Sequence, residues 1–204
     1  MDIIKKNIEA YDKTAKQYQD YIKEFKPIEL IPRQDFMSLV KGKILDLCCG
    51  SGRDSKLFTE KGYAVVGVDL STEMIDIAKK NVPDASFKVM DALHLDFRLN
   101  SFDAVFFNAG LLAIPKKYAL DMLKKVNSIL IDSGILYISV KEGTGEGFQM
   151  HKYYKVEKFY AYYEKEEMEK LLKETGFEVL KFYRPTPPRK EHMGILIGFL
   201  CRKV

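Results

Sequence analysis

Residues 43–54 of the chain, Lys-Ile-Leu-Asp-Leu-Cys-Cys-Gly-Ser-Gly-Arg-Asp, gather chemically useful groups around one turn. Asp46 lies inside a short apolar run, Gly50 and Gly52 follow, and Arg53 opens a polar stretch. Glycines at a sharp bend let the backbone press against a ligand, because no Cβ stands in the way. The first N–H groups of a helix have no partner within it and can face a carboxylate or a phosphate. A second carboxylate, Asp69, ends the next apolar run, 17 residues after Gly52. At the tip of a second strand such a side chain accepts hydrogen bonds from both hydroxyls of a ribose. The loop is not GxGxxG, since Ser55 stands where the third glycine belongs. Loop and spacing together point to an adenosine without a 2′-phosphate.

These groups need strands and helices to hold them. Apolar runs predict strands at 43–48, 64–69, 86–90, 102–107 and 135–140. Helices are predicted near 53–61, closed by Gly62, and at 72–81, with Ser71 as N-cap and Pro83 as stop. Further helices are expected near 116–131 and, after an irregular stretch, from Glu164 to about 175. Strands at 177–183 and 194–202, joined by a Pro-rich loop, read as antiparallel neighbours. Five β–α repeats closed by a hairpin predict an α/β three-layer sandwich. Its sheet is expected to have seven mostly parallel strands, with the last antiparallel. Ligands then bind beyond the strand C-terminal ends, where Asp46 to Gly52, Asp69, Asp91, Asn108 and Lys141/Glu142 would meet.

Ahead of the alternation, Ile4, Ile8, Tyr11, Ala15, Tyr18, Ile22 and Phe25 form one face of an amphipathic helix. Pro27 and Pro32 are expected to break it before a second short helix containing Phe36, Leu39 and Val40. Tyrosines on the first helix, Tyr11 and Tyr18 among them, either pack it onto the core or line a pocket. In the second reading residues 1–40 are a lid over the glycine loop, within a single domain of residues 1–204.

Composition narrows the class. At 204 residues with 47% hydrophobic residues the chain can bury a real core. A net charge of +4 permits nucleic-acid contact without arguing for it. No apolar run reaches the ~18 residues of a membrane span, and the N-terminus has no signal-peptide core. Cys48, Cys49 and Cys201 form no CxxC and read as small core residues of a reduced, cytoplasmic protein. His94, His151 and His192 share no ligand spacing, so no metal is expected.

Taken in order, the strand tips resemble those of a class I S-adenosylmethionine (SAM) dependent methyltransferase, a Rossmann-like family, through nearly the whole chain. Its first motif, Asp-x-Gly-x-Gly-x-Gly, corresponds to Asp46 through Gly52, with Cys48 in place of the first glycine. Gly67 to Ser71, then Met74 and Ala78, resemble its ribose motif. Asp91-Ala92-Leu93 resembles its adenine motif, Ser101 to Val105 its fourth-strand motif, and Ser133 to Leu136 the turn before the fifth strand. A narrower likeness is to small bacterial and archaeal methyltransferases of mostly unassigned substrate, through Gly50 to Asp54, Leu111 to Pro115 and Lys141 to Glu146. Where that group often has His, this chain has Ala113.

The resemblance implies a SAM site. Gly50 and Gly52 would admit the methionine part, Arg53 would pair with its carboxylate and Asp46 would hold the loop and the ammonium group. Asp69 would take the ribose diol, with Leu70 and Met74 beside it. Asp91, Ala92 and Leu93 would meet the adenine, and Asn108 would face the sulfonium. The product would be S-adenosylhomocysteine (SAH), and the methyl would pass to an O or N atom of a small-molecule acceptor. A base is needed only if the acceptor carries a proton, and Glu142, Glu146, His151 and Tyr153 are the candidates. The aromatic run from Tyr153 and Tyr154 to Tyr163 is a candidate acceptor wall. Rival readings are an RNA or protein methyltransferase, a non-catalytic SAM-binding protein, and an NAD(P)-dependent short-chain dehydrogenase built on Ser139, Tyr154 and Lys158. A monomer or a homodimer fits any of them.

Overall fold

The computed structural model of the chain describes residues 3–23, 30–184 and 194–204. Phe25, Pro27, His192 and the expected Pro-rich loop lie outside them. The elements run α1 (Ile3–Lys23), α2 (Leu30–Leu39), β1 (Ile44–Leu47), α3 (Arg53–Glu60), β2 (Val65–Asp69), α4 (Thr72–Asn81) and β3 (Ser86–Val89). They continue with β4 (Phe102–Asn108), α5 (Ala119–Ile129), β5 (Leu130–Glu142), β6 (Glu146–Met150) and β7 (Glu157–Tyr163). The chain closes with α6 (Lys165–Glu174), β8 (Phe177–Tyr183) and β9 (Leu196–Lys203).

Strands β3-β2-β1-β4-β5 lie side by side and parallel. β9 runs antiparallel to β5 from Ile135 to Lys141, and β8 pairs with β9. This is the expected seven-strand arrangement. Two further strands correct it to nine among the described residues: β7 pairs parallel with the last residues of β5, and β6 pairs antiparallel with β7. The stretch read as irregular holds both. Glycines 143, 145 and 147 break its apolar pattern, and β6 stays largely exposed, so it has no alternation to show. The five β–α repeats also need correcting. No helix joins β3 to β4; buried Leu95 and partly buried Phe97, edge-on to Phe102 at 4.9 Å, fill that space. Pro32 lies in the first turn of α2 rather than ahead of it, where a missing N–H costs nothing.

Both sheet faces are covered, which is why β1 and β4 are buried on both sides. One face carries α5 and α6 over a core that includes Phe107, Leu123, Val126, Met168 and Phe199. On the other, Phe106 meets Phe36 and Phe58 edge to face, and those two rings are tilted against each other, with centroids 5.0–5.5 Å apart. Such pairs each add about 0.5–1.5 kcal/mol beyond area burial. Phe36 thereby anchors α2, and Arg33, three residues earlier, shares its helix face.

Candidate functional site

The strand ends open into one cavity of about 420 Å³. Tyr11, Tyr18, Asp46, Gly50, Arg53, Asp69, Leu70, Met74, Asp91, Ala92, Leu93 and Asn108 all line it; Gly52 does not. α1 crosses over it and adds Ile4, Asn7 and Ile8 to the walls.

The glycine loop is shaped by left-handed residues. Cys48, Gly50 and Gly52 have φ of 56°, 53° and 79°. That conformation strains a residue with a Cβ, so Cys48 holds it at a cost. At Gly50 an added Cβ would point into open space, its nearest neighbour Tyr18 Cε1 at 4.0 Å. At Gly52 it would crowd Ala78 and Phe87 at 3.2–3.3 Å. Gly50 therefore leaves room for a ligand, whereas Gly52 lets the start of α3 pack against α4 and β3.

Asp69 braces this loop. Its Oδ2 accepts from the Gly50 N–H at 2.9 Å and its Oδ1 from the Ser71 N–H at 2.9 Å. Burial pushes its carboxyl up despite these bonds. The outward lone pairs remain for a diol. Asp91 is engaged too: Oδ1 accepts from the Leu93 N–H and Oδ2 meets His94 Nδ1, both at 2.9 Å.

Beneath the loop lies a polar chain that sequence reasoning missed. Arg33 Nε donates to Asp54 Oδ1 at 2.6 Å, and both side chains are almost fully buried. Asp54 Oδ2 accepts from Asn108 Nδ2 at 3.1 Å. Asn108 Oδ1 accepts from the Ser139 hydroxyl at 2.6 Å, and Ser139 Oγ accepts from the Ala109 N–H at 2.9 Å. Burial would raise the Asp54 carboxyl, but Arg53 and Arg33 outweigh it and hold the group well below the usual range. At Asp46 the pull of Arg33 is the smallest of the influences and does not offset burial. Burial, then the Asp54 charge, pushes its carboxyl up to about 7, although Ser55 Oγ donates to it at 2.5 Å. Asp46 and Asp54 thus titrate far apart across one small volume.

α1 is tied down at several points. Ser71, the N-cap of α4, accepts from the Met74 N–H at 3.1 Å and donates to Asp12 Oδ1 at 2.5 Å. Asn7 Oδ1 accepts from the Phe159 N–H at 3.0 Å, and its Nδ2 donates to the Ala113 carbonyl at 3.2 Å. Lys158 Nζ, 4.0 Å from the Tyr11 ring centroid, donates to Thr14 Oγ1 at 3.0 Å. No sequence signal marked Asn7 or Arg33, because their partners sit on distant elements.

The base candidates scatter. Glu142 pairs with Arg184, Glu146 Oε2 accepts from the Lys116 N–H at 2.7 Å, and Tyr153 is half exposed; none of the three lines the cavity. His151 does line it, but its Nδ1 faces the N–H groups of Tyr153 and Tyr154 at 3.3 Å. Tyr160 and Tyr162 form part of the wall, whereas Tyr154 and Phe159 are packed away. The dehydrogenase trio does not assemble there either: Ser139, Tyr154 and Lys158 are all outside the lining. Among the described residues no His, Cys, Asp and Glu cluster is placed to hold a metal, and no helix is long and apolar enough to cross a membrane.

The methyltransferase domain family matches residues 44–134, from the first residue of β1 into β5. A demethylmenaquinone methyltransferase of Renibacterium salmoninarum is 38% identical over 93 residues, 44% of this chain and 39% of that protein. The chain spans about two fifths of the length of such curated relatives. Among solved structures, a SAM-dependent methyltransferase of Methanosarcina mazei superposes with a TM-score of 0.75 at 23% identity, covering 88% of this chain and 98% of that one. The 1,6-didemethyltoxoflavin-N1-methyltransferase of Burkholderia thailandensis, solved with its namesake compound and SAH, gives 0.74 at 21% identity over 97% and 88%. The fold is that of the class I methyltransferases.

Proposed function

We propose that this chain, whose fold and domain match are those of a class I methyltransferase, transfers a methyl group from SAM to a small-molecule acceptor. The observation that carries the reading is the cradle at Gly50. A Cβ there would enter the cavity, while Asp69 holds the Gly50 N–H and faces the same space. SAM bound there would supply an electrophilic methyl on a sulfonium. In this reading Asp69 takes the ribose hydroxyls, and ionised Asp46 faces the ammonium group. Arg53, at the start of α3, faces the carboxylate. Asn108, fixed by Asp54 and Ser139, sets the wall beside the sulfur. α1 shields the cavity from water and helps hold the reactants ~3–3.5 Å apart and in line, where orientation supplies much of the rate. The whole chain then works as one domain with its leading segment as cover. The compounds named for the relatives, demethylmenaquinone and 1,6-didemethyltoxoflavin, support a small acceptor over a macromolecule.

Thermal unfolding with SAM, SAH, NADH or NADPH tests this. A ligand at ~100 times its dissociation constant adds about 2.7 kcal/mol of stability. Stabilisation by SAM and SAH alone is expected. A shift only with NADH or NADPH refutes the reading.

A further inference from the structure

The cavity is charged unevenly. Its four lining carboxylates, Asp46, Asp54, Asp69 and Asp91, all lie on or after β1, β2 and β3. The sheet order places the β4, β5 and β7 ends on the other side. With adenosine over β2 and β3 and the methionine part over β1, an in-line nucleophile must come from that other side. Here β5 forks. Lys141 is paired with Leu196 of β9 on one branch and with Tyr162 of β7 on the other, and all three line the cavity.

Lys141 Nζ lies 3.7 Å from the Tyr160 ring centroid. Among the described residues it has no carboxylate within ion-pairing distance. Burial draws its ammonium group below the usual lysine range. A half-buried cation with two ring faces for company, Tyr160 and, at 5.9 Å, Tyr162, and no hydrogen bond from its ammonium group among the described residues is under-satisfied. A ligand anion would complete it. Leu196 and the Tyr160 and Tyr162 rings stand next to Lys141, and Gln149 and Lys152 also belong to the cavity lining.

We propose that the acceptor is a small, planar, largely apolar molecule carrying an oxyanion, as in a phenolate, an enolate or an aryl carboxylate, and that Lys141 holds that oxygen. The inference rests on the methyltransferase reading. It also accounts for the scattered base candidates. An acceptor that arrives ionised gives its electron pair to the methyl carbon, the C–S pair stays on sulfur, and no proton has to leave.

The test is binding to the SAH-loaded protein. The probes are 4-nitrophenol, above its own pKa, and its neutral methyl ether, 4-nitroanisole. The phenolate should bind about tenfold tighter or more, as expected of a hydrogen bond to a charged group. Lys141→Met should abolish that preference and Lys141→Arg should keep it, while SAH affinity stays within about twofold in all three proteins. That unchanged affinity also shows that the variants are folded. Equal binding of the two probes, binding of neither, or a preference that survives Lys141→Met overturns the inference. Loss of SAH affinity in Lys141→Met with the phenolate preference intact assigns Lys141 to the cofactor carboxylate instead. Failure of SAH to bind the unaltered protein refutes the methyltransferase reading, and this inference with it.

Discussion

If Asp46 faces the SAM ammonium group, as proposed above, cofactor affinity depends on pH in a calculable way. Its carboxyl is 3% exposed and pushed up to about 7, first by burial and then by the Asp54 charge. An incoming ammonium group favours the ionised form, so binding should expel a proton and tighten as pH rises through 7. With a pKa near 7, the ionised fraction is about nine-tenths lower at pH 6 than at full ionisation. SAH should then bind roughly eightfold more weakly at pH 6 than at pH 7.5, about 1.2 kcal/mol. The amine of SAH sits beside its own carboxylate, which keeps its proton on above the ~7.7–8.0 of a peptide N-terminus, so this window isolates the protein. Free-protein stability should move the other way. A carboxyl whose pKa is raised on folding stabilises the fold most below its unfolded pKa of about 3.9, and that contribution disappears as pH rises through about 7. Titration calorimetry with SAH, in two buffers of different ionisation enthalpy, counts the protons released. Asp46→Asn should bind weakly at every pH and release none. An affinity constant within twofold between pH 6 and 7.5, with no proton exchanged, would refute the argument.

The same network yields three further expectations. Arg33→Met strips the buried Asp54 of its closest cation and should cost about 3–5 kcal/mol in urea denaturation. Lys158, drawn down to about 8 by burial, binds fewer protons folded than unfolded between about pH 8 and 10. The protein should therefore gain stability over that range, and Lys158→Met should flatten the difference in urea midpoints measured at pH 7 and 9. An added Cβ at Gly110 would lie 2.2 Å from Phe107 Cε2 and 2.7 Å from Cys48 Cβ. Gly110→Ala should therefore cost about 1–3 kcal/mol by overpacking, read from the thermal midpoint, and weaken SAH binding by displacing the loop.

What could be read from the chain alone follows from where the information sits. An apolar run and the polar residue that ends it are local, so Asp46, Asp69, Asp91 and Asn108 were visible as strand tips. Parallel pairing then brings all four to one cavity. A polar side chain's partner is not local. Arg33 reads as a surface residue on a short helix of weak pattern, yet it is 3% exposed because Asp54, 21 residues on, neutralises it. Asn7 reads as the polar side of an amphipathic helix, yet it bonds to the backbone of Phe159, 152 residues away. Lys141 shows the same limit from the other direction. Its place among the strand ends at the crevice was visible, but no role was, and only the fork of β5 sets it between Leu196 of β9 and Tyr162 of β7. Hydrophobic period predicts which backbone elements exist. Burial of charge depends on which elements meet, and in this chain the charges of Asp46, Asp54, Asp69, Asp91 and Lys141 meet in one cavity only because distant strands and helices do.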